Sequence, residues 1–155
     1  MKKPPDTTSE QPLGCTCFAL RKITRTVSRL YDQHMAKVGL KTTQYSMLKN
    51  VARASLPVAE LAARLATERT TVTRNLKPLI EAGWVVLAAG ADSRQRIVTI
   101  TPSGRAKVRH ARQAWRAAQD QLEHSLGLPS VRALHAQLDA AMLQISPLLE
   151  EPSHE

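Results

Sequence analysis

Aromatic residues are scarce in this chain: one Phe, two Trp and two Tyr among 155 residues. Any core it builds must therefore be aliphatic. No run of about 18 apolar residues occurs, so a membrane-spanning helix is not expected. Cysteine is limited to Cys15 and Cys17. Two thiols this close do not make the disulfide framework of a small secreted domain, and a cytoplasmic setting is the default. The opening MKKPPDTTSEQP is basic at its start but has no apolar stretch, so residues 1–12 read as a disordered tail rather than a signal peptide. Enzyme signatures are missing too. There is no Gly-rich phosphate loop, no H-x-x-x-H and no carboxylate cluster, and His34, His110, His124, His135 and His154 are scattered. Neither catalysis nor a bound cofactor is expected.

Positive charge is abundant and unevenly placed. The net charge is +9. Residues 1–116 hold 21 Lys/Arg against 7 Asp/Glu, and residues 117–155 hold 1 against 6. A basic body with an acidic end suits a polyanionic partner on one side and a surface facing away from it on the other.

Hydrophobic spacing and Gly/Pro punctuation divide the chain into elements. Leu20, Ile23, Val27, Leu30 and Tyr31 recur at helical spacing over 14–38, and Gly39 ends that helix. Thr42 or Thr43 is placed to cap a second helix carrying Tyr45, Leu48 and Val51. Pro57 opens a short helix with Val58, Leu61 and Leu65 on one face. Thr67 is placed to cap ERTTVTRNLKPLIEA, which stops at Gly83. WVVLA and RIVTIT, joined by AGADSRQ, read as a β-hairpin. Pro102 starts a long helix to about Leu126. Gly127 interrupts it, Pro129 begins the last helix, and Pro147 helps end that near 149. The expected fold is mostly α with a small β-wing: a winged helix-turn-helix over 42–101, dimerisation helices over 13–38 and 102–149, and a short tail over 150–155.

The helix after Thr67 has two chemically distinct faces. Val72, Leu76, Leu79 and Ile80 form an apolar stripe for the core. Thr70, Thr73, Arg74 and Lys77 share a polar face, with Arg69 and Thr71 at its N-terminal end. A helix that needed only solvation would more often carry mixed Glu/Lys pairs. Hydroxyls and cations suit phosphates and base edges instead. Pro78 lacks an N–H and crowds the carbonyl of Arg74, so a bend is expected there. At the hairpin tip Arg94 and Arg96 can enter a minor groove. Asp92, two residues before Arg94, is placed to orient its guanidinium. Two helices followed by a β-hairpin, with these side chains in this order, point to double-stranded DNA as the partner.

The stretch LAARLATERTTVTRNLKPLIEAGWVVLAAGADSRQRIVTITPSGRAKV resembles the core of the MarR (multiple antibiotic resistance regulator) family. The resemblance rests on Leu76, Leu79 or Ile80, and Gly83; on Asp92 and Arg94 of the wing; and on Thr99 to Thr101 with Gly104. It extends over roughly residues 13–149. It implies a homodimer joined through the first helix and the last two, repression of a pseudo-palindromic operator, and release by an effector. Small aromatic or phenolic acids are the effector class it implies, in a cavity that His34 and His110 border. Independently, Leu134, Leu138, Ala141, Met142, Ile145, Leu148 and Leu149 give the last helix an apolar surface too broad for one small domain to cover.

The start of the first helix is similar to the organic-hydroperoxide-sensing branch, where a Cys followed by Phe becomes oxidised and the dimer leaves DNA. Cys17-Phe18 falls at that place. Of two tyrosines that hold the thiol there, Tyr31 matches one, and Thr42 occupies the position of the other. Cys17 and Tyr31, 14 residues apart, lie about 21 Å apart along one helix, so contact requires a second subunit. If both cysteines are helical they point about 200° apart and cannot share an ion or a disulfide. Three readings of Cys15 and Cys17 stay open: a redox switch, a thiol-based metal or metalloid site, and inert small residues. A DNA-architectural protein that senses nothing is the further alternative.

Overall fold

The computed structural model describes residues 14–92 and 94–149. The two tails expected at 1–12 and 150–155 lie outside the described residues. Six helices and three strands follow in the order α1 (Thr16–Met35), α2 (Thr42–Arg53), β1 (Leu56–Pro57), α3 (Val58–Arg64), α4 (Arg69–Glu81), β2 (Val85–Ala89), β3 (Arg96–Ile100), α5 (Pro102–Leu126) and α6 (Leu128–Ile145). Short 3-10 turns at Ala36–Val38 and Ser146–Leu149 extend α1 and α6.

Proline and glycine punctuate these elements as their stereochemistry requires. Pro102 is the first residue of α5, where a missing N–H costs nothing. Gly83 takes a left-handed φ of 70° just past α4, and the Trp84 N–H reaches back to the Leu79 carbonyl at 2.9 Å. That closes the helix in the glycine-terminated manner that satisfies orphan carbonyls. Pro78 does not end α4, which runs through it to Glu81.

The sheet has three strands, not the two of a plain hairpin. β2 and β3 pair antiparallel from Val85↔Ile100 to Ala89↔Arg96, and β1 joins the other edge of β3 through Leu56↔Val98. The capping residues also differ from expectation. Lys41, not Thr42 or Thr43, precedes α2, and its N–H donates to the Gln44 side chain at 2.8 Å. Thr42 is already helical, because its own N–H is taken by the Asp32 carboxylate at 2.7 Å. Glu68, not Thr67, precedes α4. The α3–α4 connection is tight enough to force Ala66 to φ 47°. A left-handed non-glycine residue costs roughly 1–2 kcal/mol, which the packing of two short helices must offset.

The core is aliphatic and lies within the winged helix-turn-helix. Leu48, Val51, Leu61, Val72, Leu76, Leu79, Val85 and Val98 are all fully buried, and Met35 from the end of α1 joins them. Ile80, expected in this stripe, is 38% exposed. Ala111 and Ala118, seven residues apart, are buried on one face of α5, and α5 packs along α1. Above that contact the packing thins. Val131 is the one buried residue of α6.

Candidate nucleic-acid interface

α4 presents its polar face outward because its apolar stripe is held in the core. Arg69, Thr70, Thr73, Arg74 and Lys77 are exposed. Thr73 donates its hydroxyl to the Arg69 carbonyl at 2.9 Å, leaving oxygen lone pairs and a methyl group outward. Lys77 approaches Glu81 at 4.0 Å, with both side chains well exposed, so the pair is weak. Arg69 and Arg74 lie within ion-pair distance of no carboxylate among the described residues. Thr71 differs from its neighbours: it is half-buried and lines a partly open cavity.

The wing tip is built by backbone hydrogen bonds. The Gly90 N–H reaches the Gln95 carbonyl and the Gln95 N–H reaches the Asp92 carbonyl, both at 2.9 Å. Asp92 accepts the Arg94 backbone N–H on its carboxylate at 2.9 Å and makes no ion pair with the Arg94 guanidinium. It shapes the turn rather than orienting the guanidinium as expected, which leaves that group free of a carboxylate. Arg94 and Arg96, separated from Arg69 by about 25 residues of sequence, converge with it on one groove of about 270 Å3 beside Pro57 and Val58. The lining contains three arginines and no acid. Such a groove attracts a phosphate or a narrow, electronegative groove of a duplex.

The wing is locked to the rest of the chain at its foot. Thr101 accepts the Gly104 N–H at 3.0 Å as the cap of α5 and lies 2.7 Å from the Gly83 carbonyl, to which its hydroxyl donates. Gly104 sits so close that an added Cβ would lie 2.1 Å from the Trp84 carbonyl oxygen. Not every cation is available to a partner. Arg105 donates to the Ala52 carbonyl at 2.8 Å, and Lys107 donates to the Val38 carbonyl at 2.6 Å while lying over the Trp84 ring.

The candidate sensing residues do not gather in one place, although Tyr31 and Thr42 border one groove of about 340 Å3. His34 and His110 line one cavity of about 260 Å3 together with Lys37, and His34 Nε2 is 2.8 Å from Gln121 Oε1. Tyr31 donates its hydroxyl to Gln119, whose amide donates to Glu123 at 2.7 Å. Burial first, and the nearby Glu123 charge second, raise the Tyr31 phenol above its ordinary pKa. Cys15 and Cys17 are exposed free thiols. Cys15 lies before the helix with extended backbone, so the opposed geometry of two helical cysteines does not apply. Among the described residues no three His, Cys, Asp or Glu side chains gather as a metal site. A larger cavity of about 400 Å3, undetected in the sequence, lies between α1, α2 and α4 and is bordered by Asp32, Thr42 and Thr71. The Thr42 hydroxyl is buried there without a partner.

A helix-turn-helix followed by a three-stranded wing, with an acid-free arginine groove between them, defines a protein of the winged helix-turn-helix class. The sequence profile of the MarR family matches residues 38–95. Among solved structures, the Mycobacterium tuberculosis transcriptional regulator MosR in complex with DNA is 37% identical, with 84% of this chain and 97% of that chain covered and a TM-score of 0.73. The transcriptional repressor CouR bound to a 23-mer DNA duplex is 25% identical over 82% and 92% of the two chains, with a TM-score of 0.75. A mutant of Escherichia coli MarR complexed with operator DNA is 21% identical over 81% and 92%, TM-score 0.74, a likeness of fold. An uncharacterized HTH-type transcriptional regulator of Bacillus subtilis, YwoH, is 32% identical over 85 residues, which are 54% of this chain and 61% of that protein. This chain belongs to the MarR family, a family of transcriptional regulators and not of enzymes. No described helix is long and apolar enough to cross a membrane.

Proposed function

We propose that this protein is a homodimeric, sequence-specific DNA-binding regulator that represses transcription from a pseudo-palindromic operator. The observation that carries the reading is the groove of Arg69, Arg94 and Arg96 beside the exposed Thr70, Thr73, Arg74 and Lys77 face of α4. α4 enters a major groove, where Arg74 reads a base edge, and the wing arginines Arg94 and Arg96 reach the adjacent minor groove. Asp92 keeps the wing tip in the shape that presents them. A two-fold dimer places two such heads about 34–36 Å apart, on successive turns of one face of the duplex. The MosR and CouR complexes with DNA support this reading. The test is fluorescence anisotropy on operator and scrambled duplexes at fixed salt. Arg94→Ala is expected to cost ~1–3 kcal/mol of operator affinity; unchanged affinity would remove the wing from the interface. Equal binding to both duplexes would make the protein architectural rather than a specific regulator.

A second reading concerns the signal, and it rests on two exposed thiols that the first turn of α1 leaves unpaired. A hydroperoxide oxidises the Cys17 thiolate to sulfenic acid and is itself reduced to the alcohol. The Cys15 thiol then displaces water from that sulfur and forms a disulfide. Closing it distorts the start of a helix that the dimer uses. Cys17→Ser is expected to keep full DNA affinity and to abolish hydroperoxide-induced release. Release that persists in this variant, or that never occurs in the parent protein, removes the redox reading.

A further inference from the structure

Three helices end on the side chains of a fourth. The last carbonyls of a helix have no partner within it. Lys107 Nζ donates to the carbonyl of Val38, where the turn that extends α1 stops, at 2.6 Å. Arg105 Nη1 donates to the carbonyl of Ala52, in the last turn of α2, at 2.8 Å. Ser103 donates to the carbonyl of Gly83, just past α4, at 2.8 Å, beside the Thr101 hydroxyl. All of these side chains come from the cap and first two turns of α5. Cations suit such ends, because a helix C-terminus carries partial negative charge. Lys107 is engaged on a second side as well. Its ammonium lies 4.8 Å from the centre of the Trp84 ring, at the foot of the wing. Neither Lys107 nor Arg105 forms an ion pair among the described residues. Lys107 is half-buried, and through this one side chain the end of α1, the base of α5 and the wing meet.

We propose that Lys107 is a positioning residue for DNA recognition, which fixes the angle of α1 and α5 to the wing and touches no phosphate. The proposal rests on the homodimeric DNA-binding reading above. In that reading α1 holds the partner subunit and the wing holds the duplex. A side chain that ties both to α5 therefore sets how far apart the two wings of a dimer stand. Three ties to three helix ends fix a rigid body, whereas two leave it an axis to rock about. An ammonium that donates to a carbonyl and lies over a ring has both interactions to lose. Turning it toward a phosphate would leave the Val38 carbonyl without that donor. Operator geometry makes the angle matter. One base pair added between half-sites turns the second by about 35° around the duplex axis. A pair of heads that rocks tolerates this better than a fixed pair.

The distance between the two wing tips of the free dimer tests it. Cys15→Ser and Cys17→Ser remove the native thiols, and Ala91→Cys places a spin label on each exposed wing tip. Pulsed dipolar spectroscopy then reads the spread of that distance without DNA. Lys107→Met keeps the apolar stem and removes the ammonium. It is expected to widen the spread about twofold or more, and Lys107→Arg to restore it. An unwidened spread in Lys107→Met overturns the proposal even where the denaturant midpoint falls, because the residue is then merely structural. Absence of any distance signal means no dimer, and overturns the dimer reading and the proposal with it. The second arm is affinity for a duplex that the full chain selects from a random pool, and for the same duplex with one base pair added between half-sites. Lys107→Met is expected to narrow the affinity gap between these about threefold or more, with the slope of log affinity against log salt unchanged. A slope smaller by about one makes Lys107 a phosphate contact and overturns the proposal. Failure of the unsubstituted chain to select any duplex overturns the DNA reading, while the wing-tip spread still decides the role of Lys107.

Discussion

Gly104 shows how much can depend on a single missing side chain. It lies in the first turn of α5, buried against the Trp84 carbonyl and Ile100. A methyl group there meets backbone, not a flexible side-chain end, so the helix and the strand before it must separate. Gly104→Ala is expected to lower stability by ~1–3 kcal/mol or more, read as a lower denaturant midpoint with an unchanged slope. The two tyrosines make a second residue-scale prediction. Burial raises both phenols above their ordinary value, with Glu123 adding to the rise at Tyr31 and Arg112 opposing it at Tyr45. The neutral phenol is thus the form that folding favours. Its contribution is complete below the unfolded pKa of about 10 and fades as pH rises through the higher folded value. Phenolate absorbance of the folded protein should therefore lag behind that of the urea-unfolded chain above pH ~10. Coincident curves would contradict it, and Tyr31→Phe should flatten the alkaline loss of stability.

Elements were legible where proline and glycine mark them. Pro102, Gly83 and Gly127 stand at real ends of α5, α4 and α5. β1 was not legible, because two residues carry no periodicity and the strand exists only through its pairing with Val98 and Ile97. The caps at Thr42 and Thr67 were misplaced for a related reason. A threonine suits a cap locally, but the Asp32 carboxylate, ten residues away, draws the Thr42 N–H into the helix. Similarly, the cation-and-hydroxyl face of α4 was visible as a pattern. The convergence of Arg69 with Arg94 and Arg96 was not, since it depends on how the wing folds back over α3. The cavity behind Thr42 and Thr71 involves three helices and leaves no sequence signal. At this same scale, α6 and the start of α1 carry their own prediction. Phe18 is 69% exposed and Leu143 79% exposed, and Leu20, Ile23, Leu134 and Leu138 border an apolar groove of about 340 Å3. An apolar surface of this extent marks an interface, and in the proposed homodimer a second copy of the chain presents the same surface in return. Leu138→Glu leaves the core of the single chain intact. It is expected to yield monomers in sedimentation velocity and to cut operator affinity by ~10²–10⁴-fold through lost bivalency. A dimer that persists would place the interface elsewhere.

Across the whole molecule, charge and packing are segregated in the same sense. The aliphatic core is centred on the winged helix-turn-helix, with Met35 of α1 and Ala111 of α5 joining it; cations outnumber acids over residues 1–116, residues 117–155 are net acidic, and α6 is loosely covered. With α1 running beside it from Met35 in the core, α5 joins the two ends. Its 25 residues run without a break, which makes it a strut of about 37 Å. Thr101 and Gly104 pin its base to the wing, and its upper half lies along α1. A stiff rod turns angle into displacement. A tilt of about 5° imposed at one end moves the other by about 3 Å, the full length of a hydrogen bond. On the proposed DNA-binding reading, letting go of the duplex therefore requires neither unfolding nor loosening: a few degrees of leverage would carry an arginine out of reach.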